Sequence, residues 1–253
     1  MKTLKSYDNF FESKVVNMLD LSNQRLTELP KLSKSLNVLD CSYNKLIKLP
    51  ELPDTLKSLY CYTNKISKIS NLPETLETLY CQHNNLTELP KLTKNLFYLC
   101  CFNNQIKELP ELPKKLTKLY VSNNYLNKLT ELPDSLEILN CSFNGLYNLP
   151  VLSESLNELY CSNNYLSELP KLPKSLKILY CYNNNLTELP KLPENLKQLR
   201  CDNNNLTELP ELPDSLEYLY CSNNRLPYNN FEEYREWHRK TYPWKYSAKD
   251  FNI

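Results

Sequence analysis

The residues with chemistry to offer in this chain are ten cysteines, nineteen tyrosines and two histidines. Nine of the thiols (Cys41, Cys61, Cys81, Cys101, Cys141, Cys161, Cys181, Cys201 and Cys221) fall at intervals of twenty residues or a multiple of twenty. Such spacing lays thiols out in a row, whereas zinc needs four convergent ligands with support around them. The row reads as small buried hydrophobes, although adjacent members about 4.8 Å apart would be near enough for a disulfide. The tenth thiol, Cys100, has the opposite strand parity and is expected to face solvent, with no Lys, Arg or His beside it in its column to lower its pKa. His83 and His238 have no carboxylate pair, nucleophile motif or glycine-rich phosphate loop to work with. No catalytic residue, metal ligand or cofactor is expected.

That interval governs nearly the whole chain. From Val16 to Leu226 one twenty-residue sentence is written eleven times without insertion or deletion, as in Leu176–Pro193, LKILYCYNNNLTELPKLP. Within LxxLxCxxNxL the alternation has period two, so Leu59 and Cys61 point one way and Tyr60 the other, as in a half-buried strand. Asn follows at a fixed offset in ten copies, Asn44 to Asn224. Its amide can bond backbone groups at a chain reversal and from copy to copy, so this column is scaffold. In xxLPxLPxx the prolines flank a Leu, which favours an extended or polyproline-like return over a helix. A single copy cannot bury enough to fold alone, so copies must stack and stability becomes a sum over neighbours. This is the pattern of a leucine-rich repeat. The expected fold is a solenoid, or horseshoe, with a parallel β-sheet on its concave face, an extended convex face and short helical caps.

Three segments follow. Residues 1–14 are expected to cap the first coil, with Ser6 or Asp8 starting a helical turn that carries Phe10 and Phe11. Residues 15–226 form the array and 227–253 the C-terminal cap. There Asn230 and Glu233 fit a capping box for a helix FEEYREWHRKT that ends before Pro243. Phe231, Tyr234 and His238 share one face of it with Trp237 beside them; together with Trp244 they are expected to lie on the last coil, the alternative being a partner-binding helix.

Thirty basic against twenty-nine acidic residues give a net charge of +1, which offers no general attraction to nucleic acid or an acidic membrane. The N-terminus MKTLKSYDNFFESK lacks the apolar run of a signal peptide, and no stretch approaches a membrane span. The expectation is an intracellular, cytoplasmic chain with reduced thiols.

Only the outward strand positions escape the repeat's own demands. One column reads Asp20, Asp40, Tyr60, Tyr80, Cys100, Tyr120, Asn140, Tyr160, Tyr180, Arg200, Tyr220, and the column two residues on reads Ser22, Ser42, Tyr62, Gln82, Phe102, Ser122, Ser142, Ser162, Tyr182, Asp202, Ser222. Tyrosines among Ser and Asn make a surface of the kind used by antibody paratopes. Two clusters are candidates for partner binding: Tyr60, Tyr62, Tyr80, Tyr98, Phe102 and Tyr120, then Tyr160, Tyr180, Tyr182, Tyr218 and Tyr220. The competing reading is cross-strand stacking that stiffens the sheet, and both can hold together.

The run LPxLPxxLxxLxCxxNxL, present in Leu169–Leu186 and Leu209–Leu226, resembles the short bacterial leucine-rich repeats of the YopM and IpaH/SspH effectors. The resemblance covers about five sixths of the chain and implies an intracellular protein that acts on host proteins through its concave sheet. The version with Cys for Val is also similar to repeat proteins of giant DNA viruses of amoebae. Ligase members of the effector family carry a catalytic domain with a nucleophilic Cys after the repeats, whereas 27 residues without a Cys follow Leu226 here, so ligase activity is not implied.

The functional expectation is a non-enzymatic scaffold, monomeric or weakly oligomeric, that binds a partner protein through its Tyr-rich sheet. Carbohydrate or small-ligand binding on the same aromatic face is the alternative. A second alternative is the substrate-recognition part of a ubiquitin-ligase system.

Overall fold

The computed structural model describes residues 17–242. The expected segment 1–14 and Trp244 lie outside them. Eleven strands of three residues each follow in order: β1 (Met18–Asp20), β2 (Val38–Asp40), β3 (Ser58–Tyr60), β4 (Thr78–Tyr80), β5 (Tyr98–Cys100), β6 (Lys118–Tyr120), β7 (Ile138–Asn140), β8 (Glu158–Tyr160), β9 (Ile178–Tyr180), β10 (Gln198–Arg200) and β11 (Tyr218–Tyr220). They form one parallel sheet in sequence order, β1 through β11. Each residue pairs with the residue twenty positions on, as Leu59 does with Leu79. A period without insertions leaves no other register.

The strand alternation buries what the sequence assigned inward. In one coil Leu176, Leu179, Cys181 and Leu186 are wholly buried, and Leu189 and Leu192 nearly so. No helix forms along the return segment of any described coil. Instead each return ends in a tight turn opened by Pro or a hydroxyl residue, such as Leu56 N–H to Pro53 O at 3.0 Å and Leu96 N–H to Thr93 O at 3.2 Å. Hydroxyls within that turn tie it to the coil before: Thr75 Oγ1 donates to Asp54 O and Leu56 O, both at 2.7 Å.

The asparagine column fastens the opposite side. Asn124 is 6% exposed. Its Oδ1 accepts from Ile106 N–H at 2.9 Å in the preceding coil. Its Nδ2 donates to Cys101 O, also one coil back, and to Val121 O in its own coil, both at 3.1 Å. The same three bonds recur at every member from Asn44 to Asn224. Buried backbone groups that no strand could reach are thus satisfied by one side chain.

The chain reversal itself falls one residue earlier than the sequence pattern placed it. Asn23, Tyr43, Thr63, His83, Asn103, Asn123, Phe143, Asn163, Asn183, Asn203 and Asn223 all take positive φ, between 51° and 56°. Asn tolerates this left-handed region, and a β-branched residue does so poorly.

At the end of the array, helix α1 spans Phe231–Thr241. Asn230 caps it, accepting from Glu233 N–H at 2.9 Å. Glu233 reaches back one residue further than in the usual capping box, to Asn229 N–H at 2.8 Å. Phe231, Tyr234 and Trp237 pack against the core. His238 lies to their side, its ring 5.4 Å from that of Tyr234 and 4.9 Å from that of Tyr242. The anchor is Tyr228, 2% exposed in the loop before the helix, with its ring 5.1 Å from both Tyr234 and Trp237.

Two substitutions test this frame by urea unfolding. Asn124→Ala strands three backbone partners and is expected to cost about 2–4 kcal/mol, and a loss below about 1 kcal/mol contradicts the fastening role. Thr63→Asn relieves a β-branched residue in the left-handed region and is expected to add about 1 kcal/mol, and a loss contradicts it.

Candidate functional site

The first tyrosine cluster divides in two. Tyr60 stacks on Tyr80 with ring centroids 4.8 Å apart and planes 20° apart, and Tyr80 stacks on Tyr98 at 4.5 Å and 24°. Tyr98 then meets Tyr120 at 5.6 Å, tilted by 35°. The spacing of parallel strands is nearly the spacing of stacked rings, which is why a tyrosine column becomes a continuous pile. At β5 the column has only Cys100. Tyr98, two residues earlier on the same strand face, fills that position and keeps the pile unbroken. Tyr62 and Phe102 turn away toward the loop column, making edge contacts with Tyr43 at 5.2 Å and His83 at 5.0 Å.

The rings also decide the fate of Cys100. It is 4% exposed, so the expected solvent-facing thiol is a buried one. Tyr80 and Tyr120 stand on either side of it in the register and Tyr98 closes the row. Burial pushes its pKa up to about 12. A nucleophilic role loses its basis.

A second expectation fails in the neighbouring column. Ser42 and Ser162 are 1% exposed, and Ser142 and Asp202 are likewise buried. Ser42 Oγ donates to Asp40 Oδ1 at 2.6 Å, one way in which this column serves the sheet. The open surface is therefore narrower than two full columns.

The second cluster gathers around a cation. Tyr160 and Tyr180 meet edge to face at 5.2 Å. Arg200 lies with its guanidinium carbon 4.3 Å from the ring centre of Tyr182, 5.3 Å from Tyr220 and 5.8 Å from Tyr180. Asp202 holds the other side, through Arg200 Nε at 3.3 Å and Nη2 at 3.4 Å. Tyr218 and Tyr220 are the most open of the candidate tyrosines, 54% and 55% exposed. Along the starts of strands β6 to β10, beside the second cluster, runs a groove of about 400 Å³ lined by Lys118, Glu137, Ile138, Glu158, Lys177 and Ile178, among others.

Burial raises the pKa of Tyr60, Tyr98, Tyr120 and Tyr160 above the ordinary tyrosine value. Their hydroxyls stay protonated at neutral pH and can donate, as Tyr160 does to Glu158 Oε2 at 2.8 Å. The wall is aromatic, uncharged at its rings and rich in donors. No group of three or more His, Cys, Asp or Glu able to hold a metal occurs among the described residues. No helix among them is long and apolar enough to cross a membrane.

Two features of the site do not stand out from the repeat columns. Arg200 appeared in its column as one member among eleven, yet it is the only arginine at an outward strand position. Tyr125, Phe143, Tyr147 and Tyr165 are more than half exposed on the loops that follow the strands, with Tyr147 stacked on Tyr165 at 5.4 Å. Reading the loop columns as the strand columns were read would have found them.

No protein-family model and no curated protein matches the chain. Solved structures do. The leucine-rich effector protein YopM from Yersinia pestis is 32% identical with a TM-score of 0.66, the match covering 83% of this chain and 78% of that one. The chain belongs to the leucine-rich-repeat family. YopM from Yersinia enterocolitica WA-314 is 34% identical with a TM-score of 0.62, covering 83% of this chain and 56% of that chain. The functional domain of InlJ from Listeria monocytogenes, which includes a cysteine ladder, is 29% identical with a TM-score of 0.67, covering 83% and 49%. This leucine-rich-repeat chain thus spans only about half the length of two of these three neighbours.

All ten cysteines of this leucine-rich-repeat protein are free and buried. Desolvation lifts the thiols of Cys41, Cys141 and Cys221 to about 12 and those of Cys61, Cys81, Cys161, Cys181 and Cys201 well above the ordinary value. A raised folded-state pKa contributes stability that is complete below the unfolded thiol's pKa and is lost as pH rises toward the folded value. Above about pH 9 each thiol that ionises only on unfolding is expected to lower stability by about 1 kcal/mol per pH unit. Cys161→Val, the replacement already present at Val121, should flatten that alkaline slope in urea unfolding. An unchanged slope contradicts the burial of a neutral thiol.

Proposed function

We propose that the sheet is the concave wall of a protein-recognition scaffold of the short, twenty-residue effector-like subclass, and that it engages a partner protein, in our reading a host protein, without catalysing a reaction. The observation that carries this is the pile Tyr60–Tyr80–Tyr98–Tyr120 on one sheet face. Rings already held by their neighbours lose little freedom on binding, so a partner meets ordered aromatic area and hydroxyl donors at low entropic cost. The likeness to YopM, described as an effector protein, supports the same reading. The buried, free thiols agree with action inside a cell.

Carbohydrate recognition fits this wall less well. A sugar stacks on an open ring face, and the faces of Tyr80 and Tyr98 are occupied by other rings. Edges and hydroxyls suit the mixed contacts of a protein surface better.

The test replaces Tyr60, Tyr80 and Tyr120 together with Ser. The Leu and Asn columns are untouched, so the array should still unfold cooperatively. Affinity capture from lysate of the cell in which the protein acts should lose the partner that the wild-type chain retains. Retention of the same partner by the triple variant removes the assignment to this face.

A further inference from the structure

We propose that the pocket at Arg200 receives a carboxylate of the bound protein, from an acidic side chain or a chain terminus. The inference deepens the reading of the sheet as a protein-binding wall and rests on it.

The pocket encloses about 200 Å³ and is lined by Tyr180, Gln198, Arg200, Tyr218 and Tyr220. The hydrogen-bonding capacity of this lining decides what it can hold. Guanidinium carries five N–H groups in a fixed plane. Arg200 uses two of them on Asp202, one from Nε and one from Nη2. Three remain, and no protein group among the described residues accepts them. Gln198 Oε1 accepts from the hydroxyl of Tyr180 at 2.7 Å, and the amide group of the same side chain adds N–H donors beside the guanidinium. The hydroxyls of Tyr218 and Tyr220 make no hydrogen bond within the described residues, and both side chains are more than half exposed. The charged donors all belong to one guanidinium and lie in one plane.

The site is also rigid before anything binds. Asp202 is 7% exposed and takes a further bond from Asn203 Nδ2 at 3.0 Å. Arg200 is pinned between that carboxylate and three rings while its side chain keeps 35% of its exposure. A fork held in place loses little freedom on binding, and its bonds gain strength beside apolar rings. The complement is a planar acceptor able to take two parallel N–H bonds, which is a carboxylate.

Charge separates carboxylate from phosphate. Arg200 and Asp202 form a pair of zero net charge, so a single negative charge is tolerable beside them. A dianion would bring two negative charges up to a buried aspartate. The pocket therefore favours Asp, Glu or a C-terminus over a phosphorylated residue.

The experiment selects displayed random peptides on the full chain and, in parallel, on R200K, R200Q and a Tyr218→Ser/Tyr220→Ser variant. R200K keeps the charge and removes the planar fork. Peptides enriched on the wild type should share an acidic residue at a fixed position, or lose binding on C-terminal amidation, which tells the two sources apart. Resynthesis with Gln for that Glu, or transfer to R200K or R200Q, should weaken binding about tenfold to a hundredfold. Peptides lost on the Tyr218→Ser/Tyr220→Ser variant yet indifferent to R200Q overturn the carboxylate pocket and leave the protein-binding wall standing. Tighter binding of a phosphoserine version overturns the preference argued here. Failure to enrich any peptide overturns both this inference and the reading beneath it.

Discussion

The structure depends on an asparagine amide that gives both its hydrogens and its carbonyl oxygen to backbone groups. At Asn124 those groups are Ile106 N–H and Cys101 O in the coil before and Val121 O in its own. Strands of three residues supply few ladder bonds, and the loops beyond them would otherwise enter the core with unpaired N–H and C=O groups. The side chain removes that penalty and links each coil to the one before. It also sets the register between coils, because an amide reaches the same three groups only if successive coils stack in line. With the returns tied by hydroxyls such as Thr75, coils are fastened at both sides of the leucine core.

A frame this regular turns a column in the sequence into a line on the surface. Tyrosines twenty residues apart come to ring-stacking distance with no further instruction, as Tyr60 and Tyr80 do at 4.8 Å. Stacking and recognition are compatible consequences of one geometry. The rings stiffen the sheet, and stiff rings hold their edges and hydroxyls where a partner can use them. The compensation at β5, where Tyr98 fills the position left by Cys100, keeps the aromatic wall continuous across four coils. At the other end Arg200 interrupts the column with a charge, and the surrounding tyrosines become the walls of a small donor-rich pocket.

Most of the fold was legible because the repeat states each requirement many times. The strands, the buried thiol column and the asparagine ladder follow from position within the period, and the span of the C-terminal helix follows from its cap at Asn230 and from Pro243. Features set by neighbours across coils were harder to read. Cys100 has outward parity, yet larger rings on the adjoining strands bury it. The serines of the next column, such as Ser42 and Ser162, share that parity and are also enclosed. The left-handed turn falls on residues as different as Asn123, Thr63 and Phe143, so composition alone did not mark it. Tyr228 is one aromatic beyond the last repeat, and only the helix that folds over it makes it core. Of the candidate site, the tyrosine clusters were visible in the sequence. The division of the first cluster and the gathering of Tyr182, Tyr220 and Asp202 around Arg200 depend on which way side chains turn, which a column does not state.

The central claim is that binding takes place on the sheet, with the strand tyrosines as its contact surface. Hydroxyl-radical footprinting of the chain, free and with its captured partner, tests this side chain by side chain. The account predicts reduced oxidation at Tyr160, Tyr180, Tyr218 and Tyr220, or at Tyr60 through Tyr120, with Tyr125, Tyr147 and Tyr165 on the loops unchanged. Protection confined to those loop tyrosines, with the sheet tyrosines oxidised as in the free chain, would contradict it.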